Sequence, residues 1–219
     1  MDLAQPKKVG IGSYPLVFPI PVVLVGANVD GAPNYEAIGN CSIAGFNPGL
    51  VFVSSVRSHY TNRGIIANGS FSVNMPTESM VAAVDFCGIE SGRDFLKGNL
   101  FTSFYGQLGT APMIGECPVA LECRVIHTFS HNDMDMFVGE VVEAYVDEPL
   151  ARWVADPRHG AAPGTGRWRF RRTGLGELQP LIFHHDNLYY GIGGVVGRGY
   201  HDGKTVEAPR RQDPSSDRQ

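Results

Sequence analysis

The feature that most constrains the fold is a run of apolar side chains at alternate positions over residues 117–125. The alternate apolar positions are Cys117, Val119, Leu121, Cys123 and Val125, and this spacing is typical of a strand with one buried face. Glu122 and Arg124 fall on the other face. A polar turn at 130–135 then leads to a longer apolar run at 136–146. The pattern predicts two long antiparallel strands.

Short strands and helices are predicted before this pair. Residues 21–25 and 32–38 form a predicted β-hairpin, because the Asp-Gly pair at 30–31 supplies a turn in which glycine accepts a positive φ. Ser58 can cap a helix that Gly69 can end. The other predicted elements are strands at 50–56 and 70–75 and helices at 58–69 and 77–85.

The C-terminal third of the chain is less regular. Residues 157–176 are rich in glycine and arginine without a clean period, so we predict a long loop or insertion. Cations alternate with aromatic rings from Arg167 to Arg172. We favour solvent-facing arginines with inward-packed rings over a surface that stacks on bases or an adenine ring. One short strand is predicted within 180–190, and the polar residues 207–219 are predicted to be disordered.

These elements predict a single domain over residues 1–206. Glycine (27 residues) and proline (15 residues) favour many turns. The predicted order contains many short strands, a few short helices and no βαβ alternation. The fold class we predict is therefore mainly β (α+β), with the strands forming a barrel rather than a doubly wound sheet.

Charge and composition argue against several functional classes. The net charge of −4 gives no support to a nucleic-acid partner. The apolar run at 14–29 is interrupted by three prolines and is too short to span a bilayer, and the N-terminus carries no export signal. The four cysteines include no CxxC pair, which favours free thiols in a reducing, cytoplasmic compartment. Histidines and aspartates at 131–135 and 184–186 are interpreted as surface turn residues rather than metal ligands.

Several stretches, taken in order, carry a resemblance to a known family. They are Pro21–Val25 with Gly31–Tyr35, Val53–Arg57 with Thr61, Phe71–Pro76, Cys87–Asp94 with Lys97, Glu116–Cys123 and Phe137–Val141. A weaker match lies within 180–193. Over residues 15–205 the chain resembles the flavin reductase-like family that includes the flavoredoxins. This resemblance implies an FMN-binding split β-barrel and a homodimer with FMN near the subunit interface.

A site for FMN needs hydroxyls, backbone N–H groups and a cation at one end and a flat, partly apolar slot at the other. Residues 54–57 and Thr61 lie where a predicted strand meets a helix start, a reasonable cradle for a phosphate. The resemblance implies that Thr61, Ser91 and Lys97 lie at the phosphate and ring, and that Asn34 borders the flavin. The predicted cofactor-binding residues are Asn34, Ser54, Ser55, Val56, Arg57, Thr61, Ser91, Gly92, Lys97 and Phe183.

Two positions depart from the family pattern. Many relatives carry an aromatic residue near position 40, where this chain has Asn40 and Cys41. Many also carry a histidine where this chain has Met134. Because these positions adjoin the flavin ring in relatives, we expect flavin reactivity or substrate choice to differ.

The function implied by the resemblance is that of an FMN-binding oxidoreductase. NAD(P)H is the expected co-substrate, and electrons or reduced flavin would pass to an acceptor, a partner monooxygenase being one candidate. The flavin itself performs the electron transfer, so no catalytic side chain is predicted. Three alternatives stay open: a non-catalytic FMN electron carrier, an FMN-dependent enzyme for a specialised small organic substrate, and a barrel that binds another ligand such as haem.

Overall fold

The computed structural model describes residues 8–155, 166–171 and 175–208. The strands are β1 (Ile20–Pro21), β2 (Val23–Val29), β3 (Ala32–Ile38), β4 (Cys41–Phe46), β5 (Gly49–Val56), β6 (Ser70–Met75), β7 (Ser103–Phe104), β8 (Met113–Ile114), β9 (Val119–His131), β10 (Met134–Val146), β11 (Ala151–Ala155), β12 (Gly166–Phe170), β13 (Ile182–Phe183), β14 (Leu188–Gly191) and β15 (Gly194–Arg198). The helices are α1 (Tyr60–Asn68), α2 (Val81–Ile89) and α3 (Leu175–Leu178), with 3₁₀ turns at Glu78–Met80, Lys97–Leu100, Glu148–Leu150 and Asp202–Thr205. The protein is therefore mainly β, as predicted. Within these ranges, no helix has the length and apolar character needed to cross a membrane.

Seven antiparallel strands form the main sheet in the order β3-β2-β6-β9-β10-β5-β4. The predicted pair of long strands is confirmed, since β9 and β10 pair along their whole lengths. A second sheet of four short strands has the order β1-β13-β14-β15. The region predicted to hold one short strand, residues 180–190, thus contributes to two.

The predicted hairpin is confirmed as β2 and β3. Asp30 and Gly31 have φ values of 53° and 82°, which suits the type I′ turn that matches the twist of paired strands. β2 is buried on both faces. Val23 and Val25 pack in one apolar cluster with Phe71, whereas Leu24 packs in a second cluster beneath α2. One face of β2 thus meets the sheet interior, and the other meets the helix that borders the site.

The ends of the two longer helices differ from the sequence prediction. The cap of α1 is His59 rather than Ser58, and it makes no side-chain capping bond. Gly69 ends α1 as predicted, with φ of 63° and its N–H donating to the carbonyl of Ile65. A 3₁₀ turn at Glu78–Met80 occupies the predicted start of the second helix. α2 therefore begins at Val81 and ends at Ile89, later at both ends than predicted.

Glu122 is a correction to the predicted polar face of β9. Its side chain is fully buried, and its carboxylate accepts the backbone N–H groups of Gln107 and Leu108 at 2.9 and 2.7 Å. The connection between β7 and β8 covers this face of the sheet. A buried carboxylate is tolerated when backbone donors satisfy it, so periodicity alone misjudged the exposure.

The arginine-rich segment is a strand in part. Gly166–Phe170 form β12, which pairs with β11, so that this portion of 157–176 is not the predicted loop. Among the described residues, the ring of Phe170 is 49% exposed and does not pack inward as expected. The rest of that segment, apart from 171 and 175–176, and most of the predicted tail (209–219) lie outside the described residues.

Candidate functional site: a groove beside β3

A groove runs along β3 between the start of α1 and the end of α2. One part has a cavity volume of about 190 Å³ and the other about 370 Å³. Both parts are lined by Ala37, His59, Gly88 and Ile89, so they form one continuous groove. Sites for small organic cofactors measure roughly 300–1,000 Å³, and this groove is of that size.

The two ends of the groove differ in chemistry. The polar end is lined by Ser58, Thr61, Glu90, Ser91, Arg93 and Lys97. The aromatic end is lined by Val22, Ile38, Val56, Phe183, Tyr189 and Tyr200. Hydroxyls and cations at one end and flat apolar surface at the other are the two features that an anionic aromatic ligand requires.

Asn34 joins three pieces of the polar end. Its Nδ2 donates to Oγ1 of Thr61 at 2.8 Å, and both side chains are buried. Its Oδ1 has no hydrogen-bond partner among the described residues and lies against Gly92, where an added Cβ would collide with it. Position 92 therefore requires glycine. A buried amide oxygen without a partner is rare, and it offers a ligand an acceptor.

Lys97 is almost fully buried, with 3% of its surface exposed. Its Nζ donates to the carbonyl of Cys87 at 2.9 Å, which uses one of three donor hydrogens. Burial lowers the pKa of Lys97, and nearby Cys87 and Glu36 oppose that shift. An anionic ligand at this end would take up the remaining donors and restore the stability of the charged form.

Glu36, Ser55 and His59 form a hydrogen-bonded cluster at the junction of the two ends. Oε2 of Glu36 accepts from Nδ1 of His59 at 2.7 Å and from Oγ of Ser55 at 3.2 Å. Oγ of Ser55 also lies 3.1 Å from that Nδ1. Glu36 is buried, whereas the His59 side chain is 46% exposed. The carboxylate thus fixes the orientation of an imidazole that faces the groove.

The aromatic end is built by residues near the C-terminus. Asp85 of α2 is buried and accepts the hydroxyl of Tyr189 at 3.2 Å, the N–H of Tyr200 and the N–H of Gly203 at 2.7 Å. Burial, followed by Asp85, raises the pKa of Tyr189. Tyr200 has a φ of 59°, a conformation that a bulky residue adopts only where its surroundings impose it. Asp85 therefore holds Tyr200 beside Phe183, with ring centroids 6.0 Å apart.

Eight of the ten predicted cofactor-binding residues come together at the groove. Thr61, Ser91, Gly92 and Lys97 line the polar end, Val56 and Phe183 line the aromatic end, and Asn34 and Ser55 contact lining residues. Ser54 and Arg57 lie apart from them. The N–H of Ser54 donates to Asn40, and the guanidinium of Arg57 pairs with Asp135 at 3.0 Å.

The sequence interpretation missed Glu36, His59, Asp85, Tyr189 and Tyr200. Glu36 carried a usable signal, because alternation along β3 places it on the same face as Asn34. Tyr189 lies within the weaker family match at 180–193, and the other three carried no local signal. Their positions in the groove depend on contacts between distant parts of the chain, such as the bond between Asp85 and Tyr189.

Comparison with known proteins defines the class of this fold. The family model of the flavin reductase like domain matches residues 16–188. A flavoredoxin structure from Methanosarcina acetivorans is 37% identical, with a TM-score of 0.71, and the match covers 93% of this chain and 100% of that one. The flavoredoxin of Desulfovibrio vulgaris (Miyazaki F) is 28% identical, with a TM-score of 0.69 and coverage of 90% and 100%. An FMN-binding protein from Thermus thermophilus is 20% identical, with a TM-score of 0.66 and coverage of 94% and 99%, which shows likeness of fold alone.

The fold is a split barrel of the kind found in flavin reductases and flavoredoxins, as predicted. The chain belongs to the flavin reductase-like family. The match ends at residue 188, so Tyr189 and Tyr200 of the aromatic end lie beyond the part that the family model covers.

Proposed function

We propose that the protein binds FMN in this groove and is an oxidoreductase that uses NAD(P)H as electron donor. The observation that carries the proposal is the groove itself, with cations and hydroxyls at one end and three aromatic rings at the other. Membership of the flavin reductase-like family supports the same ligand. The FMN-binding protein from Thermus thermophilus shares the fold.

The phosphate of FMN would lie at the polar end. Lys97 and Arg93 supply positive charge there, and Thr61 and Ser91 supply hydroxyls. Arg93 is held over the ring of Tyr60 at 5.6 Å and donates to the carbonyl of Ser58 at 2.8 Å, so its charge is already in place. The unpartnered Oδ1 of Asn34 would accept a hydroxyl of the ribityl chain.

The isoalloxazine ring would lie at the aromatic end. Val56, Phe183 and Tyr189 offer it a flat apolar wall. When bound, FMN supplies two-electron redox chemistry. The residues of this chain bind and orient the ring, limit the access of water, and leave one side of the groove open to a second substrate.

An electron carrier is the second candidate. The 37% identity to a flavoredoxin over 93% of the chain favours it. Both functions need the same FMN site, and they differ in whether NAD(P)H reduces the flavin directly. An organic substrate or a partner monooxygenase would be the final acceptor in the enzyme.

A homodimer is part of the proposal. Large apolar side chains are exposed on β4 and β9, and they are Ile43, Phe46, Ile126 and Phe129. Phe46 is 87% exposed at the tip of its hairpin. Exposed apolar groups of this size commonly mark an interface. Light scattering should give a mass of two chains, and a mass of one chain would contradict the dimer.

The test of function is anaerobic reduction of the FMN-loaded protein. We expect NADH or NADPH to bleach the visible absorbance of the protein-bound flavin. The rate of this bleaching should exceed the rate at which the same nucleotide reduces free FMN. A loaded protein that neither nucleotide reduces, but that dithionite does, would reject the reductase and favour the electron carrier.

A further inference from the structure

The cluster of Glu36, Ser55 and His59 has a defined pattern of protons. A carboxylate only accepts hydrogen bonds, so the proton of the 2.7 Å contact belongs to Nδ1 of His59. The Oγ–H of Ser55 donates to the same carboxylate oxygen at 3.2 Å. The other ring nitrogen of His59, Nε2, therefore carries a lone pair when the ring is neutral and a second proton when the ring is charged.

The position of this imidazole makes its Nε2 available to a proton. His59 lines both ends of the groove, and Nε2 has no hydrogen bond to any described residue. The side chain is 46% exposed, so it exchanges protons with water. Oε1 of Glu36 also lacks a partner within the described ranges, although it is buried.

The other ionisable groups around His59 belong to several elements. Acidic groups that line the groove are Glu36 on β3, Asp85 on α2 and Glu90 at its end, and the basic groups are Arg93 and Lys97 on the following loop and turn. Burial raises the pKa of Cys87 to about 11 and also raises that of Tyr189, so both are uncharged near neutral pH. Tyr60 at the polar end and Tyr200 at the aromatic end complete the set of ionisable lining groups. His59 is the histidine of this groove that stands between the polar and aromatic ends.

We propose that His59, oriented by Glu36 and Ser55, takes up a proton at Nε2 when the flavin bound in the groove is reduced. The proposal rests on the proposed function. Reduction of bound FMN by a hydride from NAD(P)H, with release of NAD(P)⁺, would add two electrons, one proton and one net negative charge to the groove. A proton from water then binds Nε2, so the groove gains no net charge. Reoxidation releases this proton.

The experiment is a redox titration of the FMN-loaded protein at several pH values near neutrality, for the wild type and for His59→Gln. For a two-electron couple, each proton taken up changes the midpoint potential by about 30 mV per pH unit. We expect about 60 mV per pH unit in the wild type, from the proton of the hydride and that of His59. His59→Gln should give about 30 mV per pH unit.

Two further variants separate positioning from folding. Glu36→Gln keeps the size of the side chain but removes the charge that orients the imidazole. In this variant the midpoint potential should lose most of the pH dependence that His59 adds. His127→Gln changes an exposed histidine on β9, outside the groove, and should keep the wild-type slope. In the flavin-free protein, the proton resonance of the His59 Nδ1–H should be shifted downfield by its bond to Glu36 and should return toward its usual position in Glu36→Gln.

Equal slopes in the wild type and His59→Gln would overturn this proposal and leave the FMN site intact. Failure of the folded wild-type protein to bind FMN would overturn the proposed function, and this inference with it. The two failures are distinguishable because the first occurs in a protein with normal flavin absorbance.

Discussion

The two ends of the groove are built in different ways. The polar end takes its lining residues from 58–61 and 90–97, which are short stretches at the start of α1 and after α2. The aromatic end takes Phe183, Tyr189 and Tyr200 from the C-terminal part of the chain and holds two of them against Asp85. The polar end thus joins short stretches from the N-terminal half of the chain, with Asn34 of β3 bonded to Thr61, whereas the aromatic end also needs residues from the C-terminal part.

This difference has a consequence for function. The polar end lies wholly within the part that the family model matches, but the aromatic end extends beyond residue 188. We expect the polar end to fix the phosphate-bearing part of the ligand. The aromatic end should instead decide how the ring is held and what approaches it.

The largest expected effect is that of Gly92→Ala at the polar end. The new methyl group would collide with Oδ1 of Asn34 and crowd the ring of Tyr60, and overpacking of this kind costs about 1–3 kcal/mol. We expect FMN affinity to fall by about 100-fold. Gly194→Ala is the matched control, because its methyl group would meet nothing within 4 Å. Fluorescence titration measures the affinity, and an unchanged Kd in Gly92→Ala with unchanged melting temperature would place FMN elsewhere.

A smaller loss is expected for Lys97→Met. The substitution keeps the length of the side chain but removes the buried ammonium group and its donors to an anion. Hydrogen bonds to charged groups contribute about 1.5–3 kcal/mol, so FMN affinity should fall by about tenfold or more. Lys204→Met, at an exposed position outside the groove lining, should bind FMN as the wild type does. A similar loss in both variants would indicate a nonspecific charge effect.

Tyr200→Ala tests the aromatic end. Aromatic contacts are worth about 0.5–1.5 kcal/mol, so FMN affinity should fall only about threefold, while the KM for NAD(P)H or the acceptor should change more. Tyr105→Ala removes an exposed ring outside the groove, one that donates to Asn28 at 2.8 Å, and should leave both unchanged. Steady-state kinetics with FMN in excess separate the two effects. If Tyr200→Ala lost as much FMN affinity as Lys97→Met, the proposed division between the ends would be wrong.

The smallest expected effect is on the pH dependence of the flavin-free protein. Burial lowers the pKa of Lys97 below its usual 10.5, so the unfolded chain keeps this proton to higher pH than the folded chain does. The free energy of unfolding of the wild type therefore increases as the pH rises from the lowered pKa of Lys97 to 10.5. Lys97→Met lacks this contribution. Urea unfolding at a series of alkaline pH values should show the advantage of the variant shrinking as pH rises, and a constant difference would contradict it.

Much of the fold could be predicted from the sequence because its signals are local. Alternation defined β9, and the Asp-Gly turn defined the hairpin of β2 and β3. Residues of the polar end could also be predicted, since Thr61, Ser91 and Lys97 lie in stretches that resemble the flavin reductase-like family. Glu122 was misjudged because its exposure depends on a separate loop. The ion pair of the Arg57 guanidinium with Asp135, 78 residues away, is likewise a contact that no local pattern shows.

The aromatic end could be predicted only in part, because Val56 and Phe183 were among the predicted residues whereas Asp85, Tyr189 and Tyr200 were not. Tyr189 lies in the weaker part of the family resemblance and Tyr200 carries no motif, and a buried carboxylate more than 100 residues earlier accepts hydrogen bonds from both. His59 is next to predicted site residues, but its role depends on a carboxylate from another strand. Such pairs become visible only when the chain is folded.

The most direct test of the account is a comparison of FMN with riboflavin, which lacks the phosphate, by equilibrium dialysis against the flavin-free protein. Because we place the phosphate at the polar end and the ring at the aromatic end, we predict that both bind and that FMN binds at least about tenfold more tightly. Equal affinities for the two would contradict a phosphate site at Lys97. Failure to bind either would contradict the groove as a flavin site.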